Sequence, residues 1–157
     1  MNNEIKSYIL KLHNLATRDI SQCKLITQRG SHPENSNVIW NVTFIFNDEA
    51  IKVEGEYFLS SAIDKIREVI EPQGYRILVK CADIDACHSG MQADMSSGTL
   101  IYKLTLLDNI SSSATSKQNK KEVQFHVLAD SEEDPVGTLQ QQKEFRKTYY
   151  ANRRSKR

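Results

Sequence analysis

Residues 38–46, VIWNVTFIF, alternate between two sets of side chains. One set, on one face of an extended chain, is Val38, Trp40, Val42, Phe44 and Phe46. This period of two predicts a half-buried strand. Turn-forming residues at 47–49 and a second alternation over 51–57 predict a hairpin. One face of such a hairpin packs on the core while the other meets solvent.

The same pattern predicts further strands at 23–29, 75–81, 99–107 and 123–127. Apolar residues spaced by three and four predict a helix over 4–17. A capping-box-like start at Ser61 predicts a second helix that ends before Pro72. Acidic residues before Pro135 predict a third helix over 136–153. We therefore expect an α+β fold, with a mostly antiparallel sheet of five to six strands and three helices.

The chain has 157 residues, of which 39% are hydrophobic and 26% are charged, as expected for a single folded domain over 1–157. Its three cysteines do not resemble a secreted disulfide framework, and the first twenty residues lack the apolar core of a signal peptide. We expect a cytoplasmic protein with no membrane contact. A polar, Ser-rich segment over 108–121 predicts a flexible loop, and 151–157 a basic tail.

The net charge of +1 conceals two oppositely charged regions. Residues 31–72 hold eight acidic and three basic side chains, whereas residues 117–157 hold ten basic and six acidic ones. An acidic surface of this kind can steer a basic partner toward itself. An ordinary solvated face is the alternative interpretation.

The candidate residues for a metal or catalytic site are Cys81, Cys87 and His88, with Asp83 and Asp85 between them. These side chains can bind zinc, but the C-x5-C-H spacing is not one that zinc sites use, and no second Cys/His pair follows. No phosphate-binding loop, nucleophile elbow or H-E-x-x-H motif occurs either. We predict no cofactor, no metal and no enzymatic activity.

The C-terminal region carries cations with tyrosines between them: Arg146, Lys147, Tyr149, Arg153 and Arg154. Cations contact phosphates and tyrosine rings stack on bases, so a nucleic-acid-binding accessory protein is the alternative functional prediction. A helix end whose cations complement the helix dipole would have the same composition.

Two segments carry a family resemblance. They are Ser89-Gly90-Met91-x-x-Asp94-Met95-x-x-Gly98 followed by Tyr102, and Thr138-Leu139-x-x-Gln142-x-x-Phe145. With the overall layout, they resemble immunity proteins of bacterial polymorphic toxins, including contact-dependent growth inhibition systems. The resemblance implies a compact cytosolic domain that binds and occludes one cognate toxin domain. The predicted partner-binding residues are Asp48, Glu49, Glu54, Glu56, Tyr57, Glu68, Met91 and Met95.

Overall fold

The computed structural model describes residues 3–87, 96–104 and 124–155. These residues form eight strands and two α-helices. In chain order they are β1 (Glu4–Asn14), β2 (Ile20–Ser31), β3 (Val38–Phe46), β4 (Glu49–Glu56), α1 (Leu59–Ile70), β5 (Tyr75–Ile77), β6 (Ala86–Cys87), β7 (Leu100–Lys103), β8 (Gln124–His126) and α2 (Leu139–Ser155). Short 3₁₀ turns cover Glu71–Gln73 and Lys80–Ala82.

The strands form two antiparallel sheets rather than the one sheet that the sequence predicted. The larger sheet has the order β4-β3-β2-β1-β5, and the smaller one the order β6-β7-β8. All described strand pairs are antiparallel. The predicted hairpin is confirmed as β3–β4, joined at Asn47 and Asp48, whose positive φ angles of 48° and 60° suit a tight two-residue turn.

The prediction of three helices is wrong, because residues 4–14 form β1 instead of a helix. β1 pairs with β2 continuously from Glu4 opposite Arg29 to His13 opposite Ile20. Leu10 and Leu12 are buried on the core face of the strand, whereas Ile5 and Ile9 are exposed on the other face. Ile5 and Ile9 on the solvent face, followed by Leu12 on the core face, have the spacing of four and three residues that is typical of one face of a helix.

The ends of the two helices also differ from the prediction. α1 begins at Leu59 without a side-chain cap. Its first amides, of Leu59 and Ser60, donate instead to the carbonyls of Ser97 and Gly98, at 3.0 and 3.2 Å. α2 begins with a reciprocal capping box at Thr138 and Gln141, in which each side chain accepts the other's backbone N–H.

One apolar core joins both sheets to α1. The buried stripe of α1 includes Ala62, Ile63, Ile66 and Ile70, and it covers the inner face of the larger sheet. The smaller sheet contributes Ile101 to the same cluster. No described helix covers the outer face of the larger sheet.

A buried arginine connects the two helices. Arg67 of α1 is fully buried, and its Nε donates to Glu71 at 2.8 Å. Its terminal nitrogens donate to Gln142 Oε1 at 2.7 Å and to the Gly137 carbonyl at 2.9 Å. Glu71 in turn accepts the Leu139 backbone N–H at 2.8 Å, so the guanidinium and its partners anchor the start of α2.

Replacing Arg67 by alanine will strongly destabilise the protein. Glu71 and Gln142 would lose a partner in a buried site, and breaking a buried pair in this way costs about 3–5 kcal/mol. Urea unfolding followed by circular dichroism measures the change. Glu68→Ala, an exposed position on the same helix, is the matched control and should change the unfolding free energy by less than about 0.5 kcal/mol. Equal effects of the two substitutions would contradict the assigned role of Arg67.

Candidate partner-binding surface

Most of the predicted partner-binding acids follow one edge of the larger sheet. β4 is the edge strand and carries Glu49, Glu54 and Glu56. Asp48 lies in the turn before it, and Tyr57 directly follows its last residue. Eight extended residues span roughly 25 Å, so this acidic edge (residues 48–57) is a line of charge and not a compact cluster.

The carboxylates on the acidic edge differ in solvent exposure and in ion pairing. Asp48, Glu49 and Glu54 are exposed and form no ion pair with another described residue. Glu56 is half-buried and forms an ion pair with Lys65 of α1. Glu68 lies apart from the strand, on the exposed side of α1, which packs against β4 and β3. Three acids of the edge are therefore available to a basic partner.

A cavity of about 340 Å³ lies at the end of the acidic edge. It is lined by Asn37, Val38, Tyr57, Phe58 and Ser97. The Tyr57 side chain is 46% exposed there. The cavity can accept an apolar or aromatic side chain of a partner, which is how binding hot spots are commonly built.

The wall of this cavity is held in place by a turn at Ser97 and Gly98. The Ser97 carbonyl accepts hydrogen bonds from the Leu59 backbone N–H at 3.0 Å and from the Trp40 indole N–H at 2.9 Å. Gly98 has a φ of +74°, and a Cβ on it would lie 2.5 Å from the Cβ of Phe58. Glycine is therefore required at this close approach.

Sequence reasoning missed most of the cavity, because Asn37, Val38, Phe58 and Ser97 come from three separate segments. Only Gly98, the last residue of the segment Ser89–Gly98 that resembles immunity proteins, was a local signal of a close backbone approach. Met91 and Met95, the remaining predicted contacts, lie outside the described residues, as does His88.

The predicted nucleic-acid surface is distributed around α2. Lys147 is exposed and Tyr149 is half-buried, while Arg153 and Arg154 belong to the last turns of the helix. Arg146 is half-buried and lines a very small cavity together with Asp64. Burial raises the pKa of the Asp64 carboxyl, and the positive charges of Arg67 and Arg146 oppose that rise. The predicted phosphate contact by Arg146 stays a prediction.

The region around Cys81 and Cys87 contains a buried acid, Asp83, with hydrogen-bond and ion-pair partners. Cys81 is buried, and Cys87 lies with its Sγ 3.9 Å from the Tyr150 hydroxyl. Asp83, also buried, accepts a hydrogen bond from Ser131 and lies 3.3 Å from the Lys103 ammonium. Within residues 3–87, 96–104 and 124–155, no three His, Cys, Asp or Glu side chains are grouped to hold a metal ion.

No model of a known protein family matches the chain, and no curated protein sequence matches it either. Neither α1 nor α2, as far as they are described, is long and apolar enough to cross a membrane.

The three thiols will differ in reactivity. Burial raises the pKa of both Cys23 and Cys81 to about 12, so at pH 8 each remains protonated as well as inaccessible. We expect only Cys87, which is half-buried, to react promptly with a thiol reagent in the native protein.

Titration with a chromogenic disulfide reagent at pH 8 measures this difference. One thiol per chain should react promptly in the folded state, and all three in guanidinium chloride. Prompt reaction of two or three thiols in the folded protein would contradict the burial of Cys23 and Cys81.

Proposed function

We propose that this protein is a cytoplasmic immunity protein, which binds one cognate bacterial toxin domain and neutralises it by covering its active site. The observation that carries the proposal is that the edge strand β4 and the turn before it hold three exposed carboxylates, those of Asp48, Glu49 and Glu54, and that the strand ends at a cavity beside Tyr57. Glu49 and Glu54 point to opposite faces of the sheet, and Lys52 lies between them. The exposed carboxylates along this strand provide charge attraction, and the cavity at its end provides a place for an anchoring side chain.

The proposed mechanism is occlusion, without any bond made or broken by this chain. A basic catalytic cleft in the toxin would face the acidic edge, and an aromatic or aliphatic side chain of the toxin would enter the 340 Å³ cavity. A complex of standard size would bury about 1,600 Å² in total. Long-range attraction mainly accelerates the encounter, while the anchor in the cavity slows dissociation.

The β-bulge in the acidic edge favours side-chain recognition over strand addition there. The register of β4 with β3 shifts between Trp40 and Val42. Gly55, with a φ of +74°, donates its N–H to the Asn41 side chain at 2.9 Å. Bulges and charged residues on an edge strand discourage another strand from pairing with it. The toxin is therefore expected to meet the carboxylates and the cavity.

Charge reversal on the acidic edge tests this assignment. The partner to use is the protein encoded by the adjacent gene, co-purified and then measured by biolayer interferometry. Glu49→Lys combined with Glu54→Lys should weaken binding by about 10- to 100-fold, mainly through slower association, because charge reversal replaces attraction by repulsion. The difference from wild type should shrink at high salt, since exposed charges are screened.

The matched control changes the same number of charges on a different part of the surface. Glu132 and Asp134 are exposed and lie near Asp130, which bridges to Val79 beyond β5, the opposite edge of the sheet. Replacing both by lysine should leave the affinity within about threefold of wild type. An equal loss with both double variants would overturn the acidic edge as the binding surface, and no complex at micromolar concentration would overturn the proposed function.

A further inference from the structure

Two buried polar atoms lie between the first turn of α1 and the middle of α2. Ser60 of α1 is only 3% exposed, and Arg146 of α2 is half-buried. The Ser60 hydroxyl oxygen and the Arg146 Nε are both shielded from solvent, and neither forms a hydrogen bond with any residue that the structure describes. A buried polar atom without a partner is costly, and native proteins contain few of them. Each of these two atoms therefore calls for a partner from outside the chain.

Ser60 and Arg146 line the same very small cavity, which has a volume of about 10 Å³. A single water molecule needs about 10–15 Å³ of such space, together with two to four polar partners. A metabolite, a nucleotide or a side chain of another protein is far larger than this. The size of the cavity therefore limits its occupant to one water molecule or a small ion.

The charges around this cavity favour a neutral occupant. The Arg146 guanidinium repels a cation, and the Asp64 carboxylate, which lines the same cavity, repels an anion. Gln142 lines the cavity too, but its amide group already bonds to Arg67 and to two backbone carbonyls. Water can accept a hydrogen bond from an N–H group and form another with a hydroxyl group, so it matches the two atoms that lack a partner.

We propose that one ordered water molecule is bound in this cavity, where it accepts a hydrogen bond from Arg146 Nε and forms another with the Ser60 hydroxyl. The Asp64 carboxylate is a third partner within the same lining. The water joins the first turn of α1 to α2, beside the buried network of Arg67. Ser60 also donates its backbone N–H to the Gly98 carbonyl at 3.2 Å, so the turn that the water holds is the one that meets the wall of the 340 Å³ cavity.

Thermal unfolding of two serine variants distinguishes a hydrated cavity from a dry one. Ser61→Ala is the matched control for Ser60→Ala, because Ser61 is the next residue of α1 and does not belong to the described lining of the cavity. Both substitutions change helix propensity nearly equally. Ser60→Ala should have a Tm about 2–4 °C below that of Ser61→Ala, since it loses a hydrogen bond to the water. An equal or higher Tm for Ser60→Ala would indicate the removal of an unsatisfied hydroxyl from a dry cavity, and would overturn the proposal.

A high-resolution crystal structure of the full chain tests the water directly. We expect one density peak at hydrogen-bond distance, about 2.7–3.2 Å, from both Ser60 Oγ and Arg146 Nε in every independent copy of the molecule. The same peak should persist in crystals of the Ser61→Ala variant. An empty cavity, or a direct hydrogen bond between Ser60 and Arg146 that closes it, would contradict the proposal.

Discussion

The buried guanidinium of Arg67 is the interaction on which the arrangement of the molecule depends. An isolated charge in an apolar interior is very costly, so Arg67 stays buried only because Glu71, Gln142 and the Gly137 carbonyl surround it. Gln142 also donates to the carbonyls of Cys81 and Asp83, at 2.8 and 2.7 Å. One charge thus ties α1, α2 and the segment before β6 together, and these contacts hold only in a single relative orientation.

That orientation decides which surfaces remain free. With α1 fixed beneath the inner face of the larger sheet, no described helix covers the outer face, and β4 is an edge strand of that sheet. The two surfaces differ chemically: β4 carries exposed carboxylates and a bulge, whereas the outer face carries the exposed Ile5 and Ile9 of β1. An acidic strand edge and an apolar face suit partners of different chemistry.

The candidate site was predictable in part. The acids of residues 48–56 were identified from local charge density, because charge along a strand can be counted without knowing the fold. The neutralisation of Glu56 by Lys65 was not visible, since it needs α1 to pack against β4. The cavity beside Tyr57 was also hidden, because its lining residues meet only after Ser97 has capped α1. The partial burial of Arg146 was hidden for a related reason: the buried network around Arg67 places α2, and the composition of α2 does not.

Local pattern by itself determined the β3–β4 hairpin, α1 and α2, because their periodicity and turn residues agree with their final environments. Tertiary structure alone decided that residues 4–14 are a strand. Ile5, Ile9 and Leu12 have helical spacing, but pairing with β2 satisfies the backbone groups from Glu4 to His13 and buries Leu10 and Leu12. Hydrogen bonds to a distant segment cannot be read from a local window, so long-range pairing overrode the local signal. The same pairing leaves the side chains of Ile5 and Ile9 exposed on the outer face of the sheet.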